Sequence, residues 1–243
     1  MFGYLRLEIL RVLRNQRYLL FSLVTPVAFY LLFASLFGHQ RVQGMAQPVE
    51  LMVAMAVYGA IGAALFATGP RIALERKTGW LRQLKATPLP AWQAVVAKVL
   101  AAMALGLPAV VAVGITGAVA HGVRLSAVQW AGLVSLTTLG TAPFALLGLM
   151  FGYLVDSDSA QSLTLAAWFV LAAIGGLWMP LSLLPKALQA IGRALPTNRL
   201  ADLSWRIAAG GGPTVTSGLI LLAWTAALAL AAVGSYRLAG RRA

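Results

Sequence analysis

The stretch Leu51–Arg71, LMVAMAVYGAIGAALFATGPR, decides the fold. It runs for about twenty residues without an acid, an amide or a histidine, and its first basic residue is its last. An α-helix needs about 20 such residues to cross a hydrocarbon core of roughly 30 Å. A transmembrane strand would need about 10 and would alternate apolar with polar residues, which this run does not do. The run therefore reads as a membrane-crossing helix.

Five further long apolar runs occupy Tyr18–Gly38, Ala94–Ala120, Gln129–Leu154, Ser162–Met179 and Thr216–Tyr236. The chain of 243 residues is 60% hydrophobic and 10% charged, with a mean hydropathy of +0.83. The expectation is an all-α integral membrane protein of six transmembrane helices, forming a single transmembrane domain over residues 1–243. Arg6, Arg11, Arg14 and Arg17 precede the first run like the basic end of a secretory signal. The run is long and is followed by no small-x-small cleavage pattern, so it reads as a retained span.

A net charge of +13 would suit nucleic acid if the charge formed one patch. It does not. With six spans and an inner N-terminus, the inner segments hold Arg6, Arg11, Arg14, Arg17, Arg71, Arg76, Lys77, Arg82, Lys85, Lys98, Arg237, Arg241 and Arg242. The outer segments hold Arg41, Arg124, Lys186, Arg193, Arg199 and Arg206. This asymmetry follows the positive-inside rule and puts both termini in the cytoplasm of an inner-membrane, multi-pass protein. It also suits an anionic inner leaflet, so membrane lipids are expected partners and nucleic acid is not.

Flanking segments refine this layout. Residues 1–17 place Phe2, Leu5, Ile9, Val12 and Leu13 on one helical face and Glu8, Arg11, Arg14 and Asn15 opposite, the pattern of an interfacial helix. In residues 180–213, Leu184, Leu188, Ile191 and Leu195 define a short amphipathic helix bounded by Pro185 and Pro196. A second short helix over Arg199–Ile207 stops at a glycine-rich turn. Neither can span, and both belong on or in the outer leaflet against the bundle. Pro26, Pro108 and Pro143 fall inside runs and are expected to kink them, and Gly148 and Gly152 form a small-xxx-small pair.

The chemistry of the interior is sparse. The centres of the six runs carry no Asp, Glu, Lys, Arg or His, while Arg71 and Lys98 lie at inner ends, where long side chains reach water. A proton-coupled pump or an intramembrane hydrolase would need such groups at depth. With no cysteine there is no thiol chemistry. His39 and His121 read as solvated loop residues, so no metal site is expected, and Asp156 and Asp158 read as helix-capping acids.

Charge concentrates instead in Leu74–Pro90, LERKTGWLRQLKATPLP, an inner link between the second and third runs. In helical projection Trp80, Leu81 and Leu84 share one arc, while Glu75, Arg82 and Lys85 lie elsewhere. Pro88 and Pro90 end that helix. A basic stop signal would not need the apolar face, the Gly79 break or the proline pair.

The order Glu75, Gly79, Leu84, Pro88 resembles the inner loop of type-2 ATP-binding-cassette (ABC) exporter permeases, a family that includes daunorubicin-resistance and polysaccharide-export permeases. The stretch GGLWMPLSLLPKALQAIGRALPTNRLADLSWRI resembles that family's segment before the last span. The resemblance implies that residues 75–87 are a coupling helix docking in a groove of a separate cytoplasmic ABC ATPase. Glu75 would orient the loop by ion pairing, Gly79 would allow close approach, and Trp80, Leu81 and Leu84 would supply apolar contact. Arg82 and Lys85 would meet acidic groups or lipid headgroups, and Pro88 would close the helix. It further implies two ATPase copies carrying ATP and Mg, a second permease copy, and a path along spans two and five. On those spans Tyr58, Phe66, Trp168 and Phe169 would face a lipophilic or amphipathic cargo.

This chain has no G-x-x-x-x-G-K-[ST] sequence, so ATP hydrolysis and its cofactors are expected on a partner. Two other classes compete: a non-transporting membrane scaffold or regulatory subunit, and a lipid-modifying membrane enzyme. The interior census argues against the enzyme.

Overall fold

A computed structural model describes residues 16–37, 41–42, 45–79 and 91–241. The described elements in chain order are α1 (Gln16–Phe37), β1 (Arg41–Val42), β2 (Met45–Ala46), α2 (Gln47–Lys77), α3 (Ala91–His121), α4 (Ala127–Leu139), α5 (Ala142–Leu154) and α6 (Ser157–Ile174). A short 3-10 turn (Leu181–Leu183), α7 (Lys186–Ala194), α8 (Pro196–Ala208) and α9 (Val215–Arg241) complete them. β1 and β2 form only a two-rung antiparallel ladder, pairing Arg41 with Ala46 and Val42 with Met45.

By length and composition, four helical stretches among the described residues can cross a membrane: Gln47–Lys77, Val95–His121, Ala127–Leu154 and Val215–Tyr236. In α1 the stretch Ser22–Phe37 is apolar but shorter. α6 is only 18 residues long and opens with the polar series Ser157, Asp158, Ser159, Gln161 and Ser162.

The axle of the bundle is α2, which packs against α1, α3, α5, α6 and α8. Its residues explain that position. Ala54, Ala56, Gly59, Ala60, Gly62, Ala63, Ala64, Ala67 and Gly69 leave shallow grooves on every side, and from Met52 to Leu65 the helix is buried all round. A helix apolar on all faces belongs in a core rather than at a surface, and in membranes small residues let neighbouring backbones come close. The tightest crossing is with α5. A Cβ added at Gly148 would collide with the Thr68 hydroxyl and stand 2.8 Å from the Leu65 carbonyl oxygen, and one at Gly152 would stand 2.6 Å from the Gly69 carbonyl oxygen. The small-xxx-small pair is therefore the contact face of α5.

Two expectations are corrected here. Pro143 does not kink the middle of a span. The run Gln129–Leu154 is two helices, α4 ending at Gly140 and α5 beginning with Pro143 in its first turn, where a missing N–H costs nothing. Pro26 and Pro108 do lie inside helices, as does Pro70 in α2. His121 is no isolated loop residue either: it ends α3 and meets the buried Tyr30 ring edge-on at 5.2 Å. The interfacial helix expected over residues 1–17 lies almost wholly outside the described residues.

Caps set the remaining boundaries. Ser126 and Gln129 form a reciprocal capping box that starts α4. Asp156 starts α6 by accepting the N–H groups of Ser159 at 3.0 Å and Asp158 at 3.1 Å. The Ser159 backbone N–H, together with its hydroxyl, holds the Asp156 carboxyl below the usual carboxylate range, so the cap stays ionised at neutral pH.

Polar contacts pin α8 in place. Its Asn198 donates to the Gly175 carbonyl at 3.1 Å, Ser204 meets Thr137 of α4 at 3.2 Å, and Trp205 Nε1 donates to the Glu50 carbonyl at 3.0 Å. Asp202 then ties α8 to the start of α9, accepting from Ser217 Oγ at 2.7 Å and Thr214 Oγ1 at 3.3 Å while pairing with Arg206 Nε at 3.2 Å. Replacing Asp202 by Ala strands these donors and is expected to cost about 1.5 kcal/mol, read as a lowered midpoint in thermal unfolding of the detergent-solubilised protein. Asp202→Asn should keep roughly half of that loss from appearing.

Candidate functional site

The sequence singles out two groups of residues, and the fold places them at different depths. The first lies where α2 ends. Glu75 is not on a separate inner-loop helix: it belongs to the last turn of α2, which runs to Lys77 and is capped at Thr78. Thr78 N–H bonds to the Leu74 carbonyl and Gly79 N–H to the Arg76 carbonyl. Gly79 follows with φ +74°, the left-handed conformation in which a Cβ is penalised. That residue turns the chain out of the helix. Trp80, Leu81, Arg82, Leu84, Lys85 and Pro88 lie outside the described residues.

Lys98, expected at a wet helix end, is instead buried on α3 with its Nζ 2.7 Å from Glu75 Oε2. The side chains of Lys98 and Glu75 are only 6% and 8% exposed. On the same face of α2, Arg71 Nε stands 3.6 Å from the other carboxylate oxygen, Glu75 Oε1. A buried carboxylate is expensive unless paired, and here one carboxylate lies between two cations on different helices. Arg76 points the other way and donates from Nη1 to the carbonyls of Gly152 at 3.0 Å, Tyr153 at 2.6 Å and Val155 at 3.2 Å. Those are orphan acceptors at the C-terminus of α5, so a cation suits them on both hydrogen-bonding and dipole grounds. The exit of α2 is thus fastened to α3 by Glu75 and to α5 by Arg76. The pairing of Lys98 is not legible in the sequence because its partner is 23 residues away; its place among the apolar residues of α3 is the available signal.

The second group is aromatic. Tyr58 of α2 and Trp168 of α6 stack with ring centres 4.3 Å apart and planes within 10°, and Trp168 Nε1 donates to the Tyr58 carbonyl at 2.9 Å. Phe66 and Phe169 each meet the Trp168 ring edge-on, at 5.6 Å and 5.7 Å. All four predicted residues therefore form one cluster, joined by Phe29 of α1 and by Trp178. Tyr58 and Trp168 are buried within this chain, whereas Phe169 is exposed on the outer face of α6. The Tyr58 hydroxyl and Trp178 Nε1 are buried without a hydrogen-bond partner. Among the described residues no cluster of His, Asp and Glu could hold a metal ion.

The fold and this arrangement define a multi-helix membrane protein whose second and third apolar helices are ion-paired near the ends that the charged segment 80–90 joins in sequence. The chain belongs to the ABC-2 type transporter family, whose model matches residues 3–203. Among curated proteins it is 29% identical over 217 residues to the Bacillus subtilis protein named "Putative transport permease YvfS", covering 89% of each chain. The family is one of transport permeases.

Proposed function

We propose that this chain is the membrane-spanning permease subunit of an ATP-driven exporter, powered by a separate cytoplasmic ATPase. One observation carries the reading. In a member of the ABC-2 family whose sequence has no phosphate-binding-loop motif, the charged segment 80–90 connects, in sequence, two helices held together by a buried ion pair. Such a base passes force from a docked partner to two spans at once. A loop springing from frayed helix ends would dissipate it.

In this reading α1, α2, α3, the α4–α5 pair, α6 and α9 are the six spans, and the Glu75 end faces the cytoplasm of an inner-membrane protein with both termini inside. The short helices α7 and α8 lie in the outer leaflet. Residues 80–87 dock on the ATPase through Trp80, Leu81 and Leu84, with two ATPase copies serving a pair of permease chains, most simply two identical ones. Closure of the ATPases on ATP would rock the paired permeases between inward-open and outward-open states. The aromatic cluster supports an amphipathic or ring-bearing cargo such as a drug, a lipid or a lipid-linked glycan. Phe169 is its exposed edge, and the unpartnered Tyr58 and Trp178 donors lie behind it.

The test is a tagged purification of the chain expressed with its neighbouring reading frames, for the wild type and Glu75→Ala. A soluble ATPase is expected to co-purify with the wild type, and its capture or turnover is expected to fall at least tenfold in the variant. A folded chain that captures no ATPase would overturn the reading in favour of a non-transporting scaffold.

A further inference from the structure

The two cations around Glu75 are placed asymmetrically. Lys98 belongs to the neighbouring helix and is in hydrogen-bond contact at 2.7 Å, while Arg71 belongs to the same helix, one turn back, and pairs more loosely at 3.6 Å with the other oxygen. The Glu75 Oε1 that faces Arg71 accepts no hydrogen bond, so that oxygen has capacity in reserve. Arg76, the next cation on α2, is committed to the α5 carbonyls and does not compete.

We propose that Glu75 is a handover carboxylate. It clasps α2 to α3 through Lys98 in the state seen here, and it passes to Arg71 when the inner ends of the two helices part. The physical need is plain. Parting two helices joined by a buried ion pair would strand an unpaired charge in the bundle, which would lock the joint shut. An arginine already at i−4 removes that penalty, because a small rotation of the Glu75 side chain exchanges an inter-helix pair for an intra-helix one. Lys98, the partner released, gains water through the gap that the parting opens, and its long stem lets its ammonium follow the water. The joint thus has two discrete arrangements with the carboxylate neutralised in both, which is what a bistable switching element requires. Its use as a transmission between ATPase and membrane rests on the permease reading; the exchange itself does not.

The first measurement needs only the purified chain. Thermal unfolding in detergent would be compared for the wild type, Arg71→Met, Lys98→Met and the double variant. If either cation can hold the carboxylate, each single change lowers the midpoint by only a few degrees, and the double change lowers it by about 10 °C, well beyond the sum. Additive shifts, or a Lys98→Met shift as large as that of the double variant, would overturn the handover.

The second measurement exploits the absence of cysteine from the chain. Spin labels on Leu74→Cys and Trp92→Cys, both exposed near the ends of α2 and α3, report their separation in the complex with a cysteine-free version of the co-purifying ATPase. The distance is expected to lengthen on trapping with ATP and vanadate. The lengthening should be lost in Arg71→Met, which keeps the static Glu75–Lys98 clasp, and regained in Arg71→Lys. An Arg71→Met protein that opens like the wild type would sink the proposal. Failure to capture any ATPase would instead sink the permease reading, with the thermal cycle still deciding the exchange.

Discussion

A Gly148→Leu substitution is expected to abolish the native bundle, seen as loss of the monodisperse peak on size exclusion and of cooperative thermal unfolding. A leucine there would project into the Thr68 hydroxyl, the Leu65 carbonyl and the Gly69 backbone nitrogen, and the last two belong to the backbone of α2. Backbone cannot turn aside as a flexible side chain can, so α2 and α5 must separate along the whole crossing. Overpacking of a core by a few methylenes costs about 1–3 kcal/mol when side chains can yield. Here the loss should exceed that range, because the contact includes Gly152 against Gly69 one turn further on. Gly148→Ala, with a single added carbon, should retain a folded fraction with a markedly lower midpoint. A leucine variant with a wild-type midpoint would show that the crossing is wider than described.

Trp168→Ala should have the second largest effect. The indole is almost fully buried between α2 and α6, stacks on Tyr58, takes Phe66 and Phe169 on its edges, and donates to the Tyr58 carbonyl. Its ring also fills the space beside Gly62, where a Cβ would stand 2.5 Å from Trp168 Cε2. Removing a buried aromatic of this size costs about 3–5 kcal/mol through the cavity it leaves, and packing inside a membrane bundle is chiefly van der Waals contact. Trp168→Phe keeps the stacking surface and loses the hydrogen bond, so it should recover most of the stability. If the cluster also contacts cargo, Trp168→Phe and Phe169→Ala should lower transport without shifting the thermal midpoint in proportion. Equal losses in both measurements would mark the aromatics as packing alone.

How far the sequence foretold this can be judged from single positions. The long helices were legible because lipid and bundle core demand the same thing of α2, α3 and α9, an unbroken apolar run. The division of α4 from α5 was not: Gly140 and Thr141 are small and uncharged and do not interrupt a hydropathy profile, and Pro143 reads equally as a kink or as the first turn of a new helix. Asp156 was legible as a cap since its signal is local, an acid two and three residues before the donors it accepts. The Glu75–Lys98 pair was not, because a contact across 23 residues depends on how two helices cross. For the aromatic cluster, residue type and span assignment drew Tyr58, Phe66, Trp168 and Phe169 together, yet Phe29 and Trp178 join only through tertiary packing.

The central place of α2 has a consequence for biogenesis. Synthesis delivers α2 after α1, and of the helices that fill its grooves α3 follows at once, whereas α5 and α6 begin only at Ala142 and Ser157. It is apolar enough to partition into lipid alone, and the grooves at Gly62 and Gly69 that face α6 and α5 stay open until those later partners arrive. Insertion and packing are therefore separate stages in this chain. A nascent protein released before α5 would hold the Thr68–Gly69 face of α2, against which Gly148 and Gly152 pack in the finished bundle, against acyl chains instead.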